Sequence, residues 1–398
     1  MRVYPDAGKL FISSWSEDPV EPAAWAQAVN LANHPAAFHH IALMPDCHMG
    51  YGMPIGGVAA FKDVVIPNAV GVDIGCGMAA RPTNIKVGDL SEEHTKEIVD
   101  TVAQEIPRGF SVHKNREYWV GFKDYEWDMQ TDNPGWMTAD VWSRAQKSLG
   151  TLGGGNHFLD LWVDLQGSVW LGIHSGSRCL GAKIADFYNK LAKELNERWF
   201  SNIPTTDLAF LPVRSVEGQA YLRDMDLALR FAAENRKRMM GIFSEIAGEV
   251  IGNTTFGETI NIHHNYAALE NHFGKNVWVH RKGATQAKEG QLGIIPGSMG
   301  TSSYIVVGKG NRDSFMSCSH GAGRTMSRTQ ANMTLSLEEC NKAMEGIYFR
   351  GWGKTRKGGI DLSEAPGAYK PIEEVIKSQL DLIAPQVCLR PLGIVNEV

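Results

Sequence analysis

Val70-Gly71-Val72-Asp73-Ile74-Gly75-Cys76-Gly77-Met78 sets a carboxylate and a thiol among three glycines. Glycines at these positions allow tight turns and leave room for a group to approach the main chain. Asp73 and Cys76 can then point at one place. With imidazoles supplied from elsewhere, the pair suits a borderline or harder divalent cation that keeps positions open for chemistry. Taken alone, the same residues also fit a Gly-rich turn around a buried structural cysteine.

Upstream of this stretch, residues 23–32 carry a short helical pattern, and 39–44 read as a strand that delivers the chain to Pro45-Asp46-Cys47-His48-Met49-Gly50-Tyr51-Gly52. On extended backbone Asp46 and His48 face the same side. A carboxylate there can fix the tautomer of the imidazole, although a polar turn reads equally well. Residues 54–60 and 64–66 predict short strands leading into the Asp73/Cys76 loop. Downstream, Asp89 or Ser91 can cap a helix that aligns Ile98, Val99, Val102 and Ile106 on one face. Between about 110 and 148 the character changes, with Trp119, Trp127, Trp136, Trp142, Tyr118 and Tyr125 set among alternating charges. This predicts an irregular surface excursion whose aromatics pack locally rather than act as a lid or base-stacking platform.

Gly153-Gly154-Gly155-Asn156-His157 comes next. Three glycines in a row are costly to order and pack nothing, so bare backbone is required there, and phosphate held by amides is one reason. A strand at 169–173 places His174 at its end, in His174-Ser175-Gly176-Ser177-Arg178. Two helices follow; the second, about 219–250, carries Arg236, Lys237 and Arg238 on what reads as a solvated polar face. His263-His264-Asn265-Tyr266 ends another strand. Strands near 277–279, 293–295 and 304–307 frame loops at 281–284, 296–301 and 317–324. Gly297-Ser298-Met299-Gly300 offers amides and a hydroxyl to a phosphate. His320 lies among serines and glycines with Arg324 four residues on, which is what a phosphoryl-accepting histidine requires: an accessible nitrogen and a cation for transferred charge.

Length and composition agree with an enzyme of this size. The 398 residues, 43% hydrophobic, are enough for a large core in one domain or two. No early apolar run is long enough to cross a bilayer or serve as a secretory signal. Six scattered cysteines fit thiols in a reducing compartment and predict a cytoplasmic protein. A net charge of −5 gives no general nucleic-acid signature. A polyanion therefore needs a local patch, for which the loop from Arg350 to Gly359, with Lys354, Arg356 and Lys357, is a candidate. Asp73, Cys76, His157, His174 and His264 are potential metal ligands, and Arg178, Lys282 and Arg324 potential anion contacts. These residues alone predict a metal-dependent phosphoryl- or nucleotidyl-transfer enzyme with a histidine as covalent carrier.

Eight motifs resemble those of the RtcB family of RNA ligases, in that family's order: 44–52, 71–78, 150–158, 174–178, 263–266, 281–284, 295–300 and 319–324. The likeness runs from about residue 35 to the end. It implies a mixed α/β fold in a single large domain spanning 1–398, with mixed or antiparallel sheets flanked by helices and a loop-built central metal cleft. It also implies a ligase dependent on manganese and GTP, joining RNA 2′,3′-cyclic phosphate or 3′-phosphate ends to 5′-hydroxyl ends.

Carried over by position, Asp73, Cys76, His157, His174 and His264 resemble the ligands of a two-Mn²⁺ site; Zn²⁺ or Co²⁺ would suit the same donors. His320 resembles the histidine that forms a histidine–GMP intermediate. Asn156, Asp160, Lys282, Pro296, Gly297, Ser298, Met299, Gly321, Ala322, Gly323 and Asn396 match nucleotide contacts. Asp46, His48, Arg178 and Arg324 match supporting or RNA-phosphate positions. The resemblance further allows an archease-type activator and a monomer acting away from membranes on cleaved RNA or tRNA halves. Two departures bear on base choice: Asp160 stands where the family usually has glutamate, and Asn396 about where it usually has lysine. The competing expectation is a metal-dependent phosphoesterase acting on RNA ends without nucleotidylation, which would need neither His320 nor the nucleotide loops.

Overall fold

The computed structural model describes residues 1–17, 19–128, 135–355 and 357–397, with only the backbone at 126–128. The Trp127 side chain and Arg356, both noted above, lie outside the described residues, as does Val398. The fold is mixed α/β, built on two large, mostly antiparallel sheets. The first has the order Arg2–Tyr4, Phe11–Ser14, Ala37–Tyr51, Met53–Phe61, Lys275–Lys282, Asn265–His272. The second runs Ile260–His263, Gly77–Lys86, Ser168–Ser175, Phe158–Asp164, Ile383–Asn396, Ser303–Gly308, Leu292–Ile295, with Tyr348–Phe349 alongside Ile383–Asn396.

Alternation along the strands decides which face meets which layer. In Gly77–Lys86, Ala79 joins Ile98, Val99, Met239 and Phe243 under the helices Glu92–Glu105 and Val216–Ile251. Met78 and Ala80 turn the other way, to Trp162, Ile294 and Ile305. Apolar residues of both sheets, among them Met44, Val58, Val279, Ile295 and Val306, close a further core. Ser91 caps Glu92–Glu105 by accepting from the His94 amide, as its sequence position predicts.

Antiparallel register then sets the site. Gly77 pairs with both Ser175 and His263, and Phe158 pairs with His174. Residues one step from those pairs, Cys76, His157 and His264, therefore gather with His174 at one end of the second sheet.

Two sequence expectations change here. The strand predicted at 39–44 continues to Tyr51, so Asp46 and His48 lie within it, and its pairing register breaks between Leu43 and His48. The stretch at 110–148 is not irregular: it contains helices Val120–Asp128 and Ala139–Ser148. Its aromatics do pack. Phe122, Tyr125 and Trp136 are buried against Leu180, Ile184 and Phe231. Fully buried Asp224 accepts from Tyr125 Oη, Tyr188 Oη and Trp136 Nε1, each at 2.6 Å. This tertiary anchor supplies order that local sequence pattern does not reveal.

Candidate metal and nucleotidyl-transfer site

Gly71 and Gly75, at φ +99° and +75°, make the turns that aim Asp73 and Cys76 inward. Cys76 Sγ lies 3.4 Å from His157 Nε2 and 3.3 Å from His174 Nε2. His174 Nε2 is 3.4 Å from His264 Nε2, and His157 Nε2 is 3.1 Å from Asp73 Oδ2. The ligand atoms of Cys76, His157 and His174 all fall within 4.8 Å of one another, and all three residues are buried. His157 Nδ1 donates to the Leu152 carbonyl and His174 Nδ1 to that of Asn156, which leaves both Nε2 lone pairs facing the cluster.

The result is a buried gathering of acceptors with few protons to share. Burial holds His174 and His264 far below the usual imidazole range, and pushes the Cys76 thiol well up with help from the Asp73 charge. Burial alone would raise Asp73, but its hydrogen bond to His157 pulls it down instead. His264 Nδ1 is buried without a hydrogen-bond partner among the described residues. Nitrogen, sulfur and oxygen donors so arranged fit a divalent cation, whose charge would also convert the thiol to thiolate.

His320 stands beside this cluster, its ring centroid 4.8 Å from that of His264. It follows the strand Ser317–Ser319, which pairs with Ala284–Gln286. Asp46 lies behind it, fully buried, its Oδ2 accepting from His320 Nδ1 at 2.6 Å and from the His320 amide at 3.0 Å. Asp46 therefore serves His320 and not, as its spacing predicts, His48. His48 Nδ1 bonds instead to the Asp46 carbonyl oxygen.

A cleft of about 840 Å³ joins these groups. Its walls bring together the five predicted ligands, His48, Asn156, Lys282, Pro296 to Met299, His320 to Arg324 and Asn396. Several residues are placed differently from expectation. Asp160 does not line the cleft: its carboxyl is buried, accepts from Trp162 Nε1 at 2.9 Å, and is driven toward the neutral form by burial. Arg324 is already engaged by Glu364, Tyr369 and the Ser363 carbonyl, which makes it a wall residue rather than a free cation. Arg178 bonds Thr151 Oγ1 and the Gly109 carbonyl behind the glycine loop. The amides of Gly297 and Ser298 are taken by Ser303 Oγ and Thr301 Oγ1, so they are not open to a phosphate in this state.

Lys282 donates to the carbonyls of Tyr51 and Asn68, and burial pulls its amine down to about 8 from the usual 10.5. Between those values the unfolded chain holds a proton that the folded one has released, so stability rises with pH across that window. Wild type is therefore expected to gain on Lys282→Met in melting temperature as pH rises from about 7.5 to about 9.5. A gap that stays constant or narrows contradicts this.

Residues not anticipated from sequence support the site from the helix Val216–Ile251. Asn235 accepts from the amides of Gly150 and Thr151 and donates to the Thr151 carbonyl. Arg236 is not on a solvated face: it is fully buried beneath the Asp73/Cys76 loop, donating to the Gly75 and Ser175 carbonyls and to Asn261 Oδ1. The overlooked signal was periodicity. Ala228, Ala232, Arg236 and Met240 recur every four residues on the buried face.

The family model for tRNA-splicing ligase RtcB matches residues 27–397. The chain belongs to the RtcB family. It is 38% identical to the RNA-splicing ligase RtcB of Escherichia coli strain K12, over 95% of each chain. It is 33% identical to the tRNA-splicing ligase RtcB of Thermococcus kodakarensis, covering 92% of this chain and 90% of that one. Identity to the Pyrobaculum aerophilum tRNA-splicing ligase RtcB is 31%, over the whole of this chain and 94% of the relative. Among the described residues, no helix of this RtcB member is long and apolar enough to cross a membrane.

Proposed function

We propose that this chain is an RNA ligase that joins RNA 3′-phosphate ends, or 2′,3′-cyclic phosphate ends once opened, to 5′-hydroxyl ends through a histidine–GMP intermediate. The observation that carries this reading is the Asp46–His320 pair set against the metal-ligand cluster. With Nδ1–H donated to Asp46, His320 keeps its Nε2 lone pair for attack. His320 Nε2 bonds to the α-phosphorus of GTP and pyrophosphate leaves. An oxygen of the RNA 3′-phosphate then takes the GMP from His320, breaking the P–N bond. The 5′-hydroxyl finally attacks the 3′-phosphorus, with GMP as leaving group and its proton lost to solvent.

Asp73, Cys76, His157, His174 and His264 would hold two manganese ions, which supply charge stabilisation to the transferring phosphoryl groups. Asn156, Lys282, the 296–299 and 320–323 segments and Asn396 form the nucleotide walls in this reading. Residues 1–398 act as one catalytic domain, since both sheets contribute to the cleft.

The test is incubation of manganese-loaded protein with α-labelled GTP, and in parallel ATP, followed by denaturation and assay for acid-labile covalent label. Label from GTP is expected. Label from ATP alone would overturn the guanine assignment and point to the Asp160 and Asn396 departures. Absence of label from either, with metal bound, would favour a phosphoesterase.

A further inference from the structure

The triple glycine loop is already occupied by a carboxylate of the chain itself. Glu397 Oε2 accepts from the Gly155 amide at 2.9 Å. A Cβ at Gly154 would fall 1.6 Å from Glu397 Oε2, and one at Gly109 2.5 Å from Oε1, so bare backbone on two sides makes room for this anion. Cations ring it. A Cβ at Gly153 would land 1.6 Å from Arg178 Nη1, and Arg178 feels the Glu397 charge; Arg328, near Gly155, is already paired with Glu364 at 2.7 Å. Arg108 reaches in from behind, donating to the Asn396 carbonyl at 3.2 Å, and both Arg350 and Glu397 act on its guanidinium. Yet among the described residues Glu397 forms no ion pair within 4.0 Å and holds only a backbone amide. An exposed carboxylate held by one amide inside a cationic ring is easily exchanged for another anion.

The position of the ring says which anion. His320, His264, His174 and His157 follow one another across the centre, with successive ring centroids 4.8, 5.2 and 5.3 Å apart. The glycine loop adjoins His157, at the end of this row away from His320, and borders the nucleotide wall at Asn156 and Asn396.

We propose that Gly109, Gly154 and Gly155, with Arg108 and Arg178, form a subsite for a phosphodiester of the RNA substrate, and that Glu397 is its displaceable occupant. The proposal rests on the RNA-ligase reading above. RNA binding displaces Glu397, so the carboxylate competes with RNA and selects against strands too short to reach the ring.

The experiment is fluorescence anisotropy of an internally labelled twelve-nucleotide RNA with 5′-hydroxyl and 3′-phosphate ends, on manganese-loaded full-length protein without GTP. Glu397→Gln keeps the shape and removes the charge. It is expected to tighten RNA binding roughly fivefold and to steepen the slope of log affinity against log salt by about 0.7, one further phosphate contact on a single strand. Arg108→Ala is expected to weaken binding and to flatten the slope by about the same amount. GTP affinity of Glu397→Gln, measured in parallel, should not change. Equal RNA affinities and slopes in wild type and Glu397→Gln would overturn the subsite, as would tighter GTP binding with RNA unchanged. Failure of both wild type and Glu397→Gln to bind RNA would instead overturn the RNA reading itself.

Discussion

His320→Ala is expected to lose all covalent nucleotide label and to slow ligation by roughly 10⁴-fold or more, because no neighbouring group replaces the attacking nitrogen. The fold should tolerate the change, since the His320 ring is partly open to the cleft and only one of its nitrogens bonds to Asp46. Asp46→Asn gives the complementary result. Asp46 Oδ2 receives three N–H groups: His320 Nδ1, the His320 amide and the Gly321 amide. An amide in place of the carboxylate can still accept through oxygen, but it no longer stabilises positive charge on the imidazole, so label formation should fall by roughly 10²-fold. The double variant should be no worse than His320→Ala alone, because Asp46 acts through the histidine. Single-turnover labelling with GTP reads the single variants, and the residual ligation rate compares the double variant with His320→Ala. Persistent label in His320→Ala would sink the assignment, and additive losses in the double variant would give Asp46 a separate role.

Arg236→Met should have the largest effect on stability. Methionine fills much of the aliphatic volume but removes the donor to the buried Ser175 carbonyl, leaves the Gly75 carbonyl with His263 Nδ1 alone, and releases exposed Asn261 Oδ1 to water. At about 1–3 kcal/mol for a buried unsatisfied group, with a second only weakened, a total of roughly 2–4 kcal/mol is expected. Burial draws the guanidinium down only to about 10, so it is charged at neutral pH, and its charge faces the Asp73 and Cys76 acceptors. Loosening the Gly75–Cys76 turn should also weaken manganese binding by roughly 10–100-fold. Arg236→Lys keeps the charge with a narrower reach and should recover only part of either loss. The urea midpoint and a manganese titration read the two effects. A shift worth less than about 1 kcal/mol would show that the helix does not brace the metal loop.

The site was more legible in the sequence than its supports. Residues whose chemistry is unusual in glycine-rich loops, such as Cys76, His157, His174 and His320, announce themselves by local context, and register brings them together. Arg236 did not, because Lys237 and Arg238 beside it make the run look solvated while a four-residue repeat buries it. Asp46 was assigned to the wrong imidazole: a neighbour two residues away is visible in sequence, and a partner brought in by another strand is not. The helices at 120–128 and 139–148 were missed for a related reason. Tyr125 in the first and Trp136 ahead of the second are tied to Asp224, far along the chain, while the second starts from a local cap, Thr138 accepting from the Val141 amide.

The strand Ile383–Asn396 lies between Phe158–Asp164 and Ser303–Gly308 in the second sheet, although every other strand of that sheet precedes it in the chain. During synthesis both flanking strands must therefore wait with one edge unpaired, open to joining another nascent chain. Loop closure over such separations is slow. Chaperone demand should be set by this late insertion, and a nascent chain halted before residue 383 would carry all five candidate metal donors but two sticky edges in place of a finished cleft.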